Sequence, residues 1–447
     1  MTYIPHTDAD RERMLRTIGV ESIDDLFAEI PEELRFKGLL NLPRGMDEIA
    51  LRAHAQKLSA QNMDTSRCVC FLGAGIYDHF SPAIIEAILS RGEFLTAYTP
   101  YQPEVSQGIL QAMFEYQTMI CHLTGMQVSN ASMYDGATAL AEAALMAWHH
   151  TGRRRIVISQ SVHPHYRHVV HTYANAADLE VQEIPCGEDG VTLLDASIAD
   201  DAACVLWQNP NFFGNLEPMA ELTARAHERN ALAIVATDPI ALGILKPPGE
   251  YGVDVVVGEG QPLGLAMGFG GPLLGFYACK EEYIRRLPGR IIGETVDIEG
   301  RRGFVMTLRT REQDIRRERA TSNICTNEAL MALAAAVYLS AMGKQGLRRV
   351  ANLCLQKAHY LAKRLTELPG VQLVYPRARF FKEFAISLPR PAEEVVQALL
   401  PDYLAGLPLS RYEQGREHHL LIAVTEKRTR QEMDDFVQAL RRTLSEE

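Results

Sequence analysis

Short apolar runs rich in β-formers recur through the middle of the chain, at 156–159, 181–185, 203–208, 232–237, 253–257 and 273–279. Helix-like or turn-rich segments, such as 222–230, separate most of them. Strands that alternate with helices and are nearly continuous in apolar residues predict βαβ units and a mainly parallel sheet covered on both faces. From Ile109, the apolar positions Met113, Tyr116, Ile120 and Leu123 step by four and three until Gly125, which predicts a helix with a glycine cap. An alanine-rich helix is predicted over 140–148. After a long helical pattern from Asn327 to Leu368, strand-like runs at 371–375, 383–388 and 419–425 lead to a last helix with Met433, Phe436, Val437 and Leu440 on one stripe. Three regions follow: an N-terminal helical arm (1–65) broken by Pro5, Pro31 and Pro43, an α/β body (66–330), and a small α+β domain (331–447). Acidic helical pieces at 23–27 and 46–58 make the arm one of the kind that often wraps a partner subunit.

Composition narrows the class. A chain of 447 residues with 47% hydrophobic and 23% charged positions can bury a large core. Its net charge of −11 argues against a general nucleic-acid binder. The eight cysteines are scattered without a C-x-x-C pair, so reduced thiols of a cytoplasmic protein are expected, with no metal site. The start leads straight into Asp8, Asp10, Arg11, Glu12 and Arg13, which predicts no secretory leader. The longest apolar stretch, 329–339, is too short to span a bilayer and reads as a core helix, so no membrane role is expected.

The run 232–237 ends at Asp238-Pro239, and the next strand continues as Gly258-Glu259-Gly260-Gln261-Pro262-Leu263-Gly264. This layout resembles the large domain of pyridoxal-phosphate (PLP) dependent enzymes of fold type I. In that fold an aspartate ending such a strand pairs with the pyridine nitrogen and keeps the ring an electron sink. The lysine that holds the coenzyme as a Schiff base normally follows at the end of the next strand. Here Pro262 stands in its place, and proline has no amine. Of the nine lysines, Lys246 lies too close behind Asp238, and Lys280 opens the charged Lys280-Glu281-Glu282, read as a solvated helix start. The turn Gly136-Ala137-Thr138 sits where the fold holds the phosphate on a helix N-terminus. Asp135 before it is an ordinary N-cap whose charge opposes a phosphate, and Glu259 adds a second carboxylate. A pocket that kept its shape but lost its coenzyme is expected, with Asp238 vestigial.

Further candidates are His163, which could stack on a ring, and Asn323 in a Thr-Ser-Asn turn. His165, His168 and His171 read as ordinary helix residues, and the arginines between Arg309 and Arg319 as a salt-linked surface that could instead hold an anion. The loop Tyr98-Thr99-Pro100-Tyr101-Gln102-Pro103-Glu104 is stiffened by proline and rich in donors, acceptors and rings. It is either a ligand-binding loop or a turn with packed tyrosines.

The start (Pro5-His6-Thr7, Leu15-Arg16-Thr17-Ile18-Gly19-Val20), the loop 98–108, Ser129-Asn130-Ala131-Ser132, Pro288-Gly289-Arg290 and Ala320-Thr321-Ser322-Asn323-Ile324-Cys325-Thr326-Asn327 together resemble the alpha chain of split bacterial glycine dehydrogenase (decarboxylating). These are the P-proteins of the glycine cleavage system. The resemblance covers essentially the whole chain. It implies two homologous halves, of which only the other carries the PLP lysine, paired as αβ and commonly α2β2 with the coenzyme at the interface. It also implies decarboxylation of glycine and transfer of the aminomethyl group to the lipoyl arm of H-protein. Tyr98, Tyr101, Gln102 and Glu104 would then reach across the interface. Two alternatives stand beside this: a catalytically silent scaffold or regulatory paralogue, and an independent PLP aminotransferase or lyase using Lys280.

Overall fold

A computed structural model describes residues 5–193 and 197–445. The chain divides into two units at Asn62/Met63. In the first, the helix Asp8–Ile18 is held by a capping box between Thr7 and Asp10, and Glu48–Ser59 is capped by Asp47. Neither helix buries a residue, and Leu39 and Ile49 are among several large apolar side chains left exposed.

The second unit begins with β1 (Val69–Cys70) and is built on seven strands: β2 (Val128–Ser129), β3 (Arg155–Ser159), β4 (Glu180–Ile184), β5 (Ala202–Asn209), β6 (Leu232–Thr237), β7 (Val255–Glu259) and β8 (Gly275–Cys279). Their order is β2-β8-β7-β6-β5-β3-β4. β3 to β7 are parallel, and β8 runs antiparallel to both neighbours, which is the mainly parallel α/β sheet that the apolar runs predict. Alternation along β5 sends Val205 and Trp207 into one core and Cys204 and Leu206 into the other, so the sheet is buried on both faces. β4 and β5 leave β3 on opposite sides. The C-terminal ends of β3, β5, β6 and β7 therefore open a crevice at a topological switch point, where α/β sheets bind ligands.

Some boundaries differ from expectation. Val253 and Asp254 precede β7, which extends through Gly258 and Glu259 because these pair with Phe276 and Gly275 of the reversed β8. The hairpin β9 (Ile291–Val296) and β10 (Arg302–Thr307) was missed, because glycine, charge and an exposed valine interrupt its alternation. The apolar stretch at 329–339 belongs to a longer helix, Ala329–Leu365, interrupted at Gly343 (φ 59°). Its 37 residues have the length and apolarity to cross a membrane. Ala332, Ala334, Ala335 and Tyr338 nevertheless pack in the core on one side of the sheet, as a core helix should.

The C-terminal part holds β11 (Gln372–Leu373), β12 (Glu383–Ser387), β13 (Tyr403–Leu404), β14 (Leu407–Pro408) and β15 (His419–Ala423). Four of these form an antiparallel sheet in the order β11-β12-β15-β14, while β13 pairs in parallel with β1. The last helix, Arg430–Ser445, buries the predicted stripe Met433, Phe436, Val437 and Leu440. Phe71 stacks on Phe436 with ring centroids 4.4 Å apart. The segment after β1 is thus fixed to the small sheet before it runs into the crevice. Replacing Phe436 by Ala should leave a cavity under Phe71 and cost about 3–5 kcal/mol in urea unfolding. Arg441→Ala on the exposed face of the same helix should change stability by less than about 0.5 kcal/mol; equal losses in the two variants would contradict this packing.

Candidate functional site

The crevice holds the expected pocket, lined by Gly75, Tyr77, Tyr166, Gln208, Asp238, Glu259 and Pro262 among others. β6 delivers Asp238 to it, as its sequence position implies. A lysine that the sequence reading passed over, Lys382, lies against that aspartate. Its Nζ is 2.6 Å from Asp238 Oδ2, 3.0 Å from His79 Nε2 and 3.4 Å from the centre of the Tyr77 ring, and its side chain is 2% exposed. An ammonium has only donors, so His79 Nε2 accepts and Nδ1–H donates to Glu426 at 2.6 Å. Burial, and then the neighbouring ammonium, lower the His79 pKa and keep the ring neutral. Glu426 is held at about 2 despite its burial, through the bonds from His79 and the Phe80 N–H. The ring hydroxyl of Tyr77 donates to Glu383 at 2.5 Å. His79, Cys354 and Glu426 lie close enough together to resemble a metal set, a grouping the cysteine spacing gave no hint of. The Lys382 ammonium already supplies the cation beside it.

Behind Glu259, which lines the pocket, stands the N-terminus of the helix Gly136–Thr151. Asp135 caps it by accepting from Thr138 N–H at 2.7 Å. The next free donor, Gly136 N–H, points at Glu259 Oε2 at 3.0 Å, while Glu259 Oε1 accepts from Gln261 N–H and Leu274 N–H at 2.9 and 3.1 Å. Burial pushes the Glu259 pKa up to about 8, and the three N–H donors offset that only in part. Gly136 must be glycine here, because a Cβ would lie 2.3 Å from the Tyr166 hydroxyl. The loop carrying Pro262 is pinned by buried Gln261, which donates to Tyr77 O and Leu265 O and accepts from Tyr77 N–H.

The other candidates fall in different places. His163 packs near Gly75 without being among the residues that line the pocket: its Nε2–H donates to Ala74 O at 2.9 Å, its Nδ1 accepts from His165 N–H, and burial lowers its pKa to about 4. Asn323 is exposed; the buried asparagine of that turn is Asn327, bonded to Ser132 Oγ at 2.8 Å. Tyr98, Tyr101, Gln102 and Glu104 stand exposed and line no part of this pocket. Buried Arg290 donates to Thr99 Oγ1 and, at 3.4 Å, to the Tyr101 hydroxyl, and Arg290 and Arg309 both lie over the Tyr101 ring. The alternative built on Lys280 fails on topology. Because β8 is antiparallel, its end lies at the sheet edge opposite Asp238, where Lys280 is bonded to Asp254.

The residues present do not fit the coenzyme that the resemblance implies. Position 262 offers no amine, and Lys382 cannot substitute, since it contacts the aspartate that would meet the ring nitrogen, and in pyridoxal the aldehyde lies para to that nitrogen. Glu259 occupies the donors that would hold a phosphate. The remaining cavity is ≈ 30 Å³, room for about two waters.

Comparison with known proteins agrees with this architecture. A family model described as glycine cleavage system P-protein matches residues 1–440. A protein of Geobacillus thermodenitrificans named probable glycine dehydrogenase (decarboxylating) subunit 1 is 52% identical over 446 residues, covering 98% of each chain. The crystal structure of glycine decarboxylase (P-protein) of the glycine cleavage system, in inhibitor-bound form, is similar at a TM-score of 0.91 and 46% identity, covering 99% of this chain and 100% of that one. Glutamate decarboxylase of Lactobacillus brevis, at 14% identity and a TM-score of 0.69 over 92% of this chain and 96% of its own, shares the fold alone. The fold is that of the type I PLP-dependent enzymes.

The raised Glu259 pKa has a definite sign. An acid whose pKa is higher in the folded than in the unfolded chain contributes stability below its unfolded value, near 4.5, and loses it as pH rises through about 8. Glu259→Gln should therefore gain on the native chain by up to a few kcal/mol between pH 4.5 and 8 in chemical denaturation, with no further change above about pH 9. A difference that stays constant with pH would show that this carboxyl does not titrate there.

Proposed function

This chain belongs to the glycine cleavage system P-protein family, and from that premise we propose that it is subunit 1 of a split glycine decarboxylase, active only with a second, PLP-bearing beta subunit. The observation that carries the reading is the missing amine at the Schiff-base position: Pro262 replaces the lysine, and the chain's own side chains fill the anchors. The reaction decarboxylates glycine and passes the aminomethyl group to the lipoyl arm of H-protein. PLP supplies the electron sink for that chemistry from the partner, at the interface, in an assembly of α2β2 form. We place the complex in the cytoplasm, in keeping with eight cysteines that are all free thiols.

The part of this chain is to shape the partner's site. Tyr98 and Val105 are 77% and 81% exposed, and such apolar exposure beside polar groups suits a surface that is covered on assembly. Glu104, Pro103 and Gln107 border a cleft of ≈ 500 Å³ together with Val296, Asp297 and Arg302 of the hairpin. Arg290, buried and braced by Glu312 at 3.9 Å, stiffens the loop through Thr99 and Tyr101. A rigid loop projecting hydroxyls and a carboxylate can orient glycine and exclude water from the reacting carbon. The exposed apolar side chains of the N-terminal unit suit the same partner.

Tyr101→Phe keeps the ring against the Arg290 and Arg309 guanidinium groups and removes only the hydroxyl. With beta subunit and H-protein added, kcat for glycine decarboxylation should fall at least about tenfold, while the thermal midpoint and the assembly seen by size-exclusion chromatography stay as in the native complex. Unchanged kinetics in this variant and in Glu104→Gln would favour the scaffold alternative.

A further inference from the structure

The two polar anchors of the pocket are the positions where a phosphorylated pyridine would place its charges. Asp238 would meet the ring N–H, and Gly136 N–H, at the start of a helix of sixteen residues, would meet the phosphate. We propose that Lys382 and Glu259 are the pocket's resident occupants, the ammonium standing for the ring N–H on Asp238 and the carboxyl for the phosphate on Gly136, and that together they close this chain to pyridoxal compounds.

Three independent observations support this. First, Lys382 makes the contacts a pyridinium edge would make: a 2.6 Å charge-assisted bond to Asp238, and the face of Tyr77, whose ring centre is 3.4 Å away. Second, the Glu259 carboxyl takes three backbone N–H donors from three segments, at Gly136, Gln261 and Leu274, a convergent set of the kind that would otherwise be open to a phosphate's oxygens. Third, the space left beside Asp238 and Glu259 is ≈ 30 Å³, an order of magnitude below the several hundred Å³ of a small-molecule site. The pocket has therefore been filled from within. The occupants come from places far apart in the chain, Glu259 at the end of β7 and Lys382 immediately before β12. Loss of the lysine at 262 alone would have left an open cavity; here the vacated anchors have replacements.

This goes beyond the assignment of a partner and does not depend on it, because it concerns binding to this chain alone. Pyridoxamine 5′-phosphate is the suitable probe, since it has the ring and the phosphate but no aldehyde to react with surface lysines. In equilibrium dialysis, the native full-length chain should show no saturable binding up to about 1 mM. The double variant Lys382→Met, Glu259→Ala, with its circular dichroism and cooperative melting checked, should gain one site per chain, a change of at least about tenfold in affinity, competed by PLP. Saturable one-to-one binding by the native chain in the micromolar range overturns the proposal, as does a folded double variant that binds nothing. If the double variant does not fold, the single variants Lys382→Met and Glu259→Gln are compared by thermal shift. The probe should then raise the melting temperature of Lys382→Met and leave the native chain unmoved; no shift in either variant counts against the proposal. Glycine turnover with the beta subunit is measured separately and bears only on the partner reading.

Discussion

The ion pair between Asp238 and Lys382 is the constraint around which the second unit is arranged. Two charges withdrawn from water cost several kcal/mol each, and their attraction repays that only when geometry and secondary bonds are good. Here both conditions are met: the ammonium reaches Asp238, His79 and the Tyr77 ring, and His79 passes the bond on to Glu426. The chain of contacts runs from the end of β6, through the segment after β1, to the ends of β12 and β15. Moving the small sheet relative to the large one would strand one charge or the other. The orientation of the two sheets is thereby set by electrostatics as well as by apolar packing.

The large sheet was legible because its strands are buried on both faces and so read as continuous apolar runs. Asp238, Glu259 and Pro262 were legible as well, since each sits at or just beyond a strand end where the fold concentrates its chemistry. Lys382 was not. It lies in Phe380-Phe381-Lys382-Glu383-Phe384, where alternation suggests a polar residue turned to solvent, and only the approach of the two sheets buries it. Gln261 and Gln117, both buried and bonded to backbone, were invisible for the same reason: a glutamine's partners are made by tertiary structure. The arginine stretch shows the mixture that local reading left open. Arg309 pairs with Asp314 at the surface, whereas Arg311 donates to the backbone oxygen of Gly289 and is half-buried. The tyrosine loop was open between a ligand-binding loop and a turn with packed tyrosines; Tyr98 and Tyr101 stand exposed, and nothing local could tell that the loop stands apart from this chain's own pocket.

A fold that carries its own keystone also differs thermodynamically from one that borrows it. A protein stabilised by a bound coenzyme gains RT ln(1 + [L]/Kd), so its stability follows the supply of that ligand. A lysine and a glutamate in the chain are present at every concentration. Folding of this chain is then uncoupled from coenzyme availability.

The cavity beside Pro262 bears on history as well as on binding. A lysine restored there would have to enter a space fit for about two waters, overpacking a wall that already includes a settled ion pair. Removing Lys382 first would strand Asp238, and removing Glu259 first would leave backbone donors without an acceptor. Each backward step is unfavourable until the others have been taken. The filled pocket behaves as a ratchet, entered by single substitutions and left only by several at once.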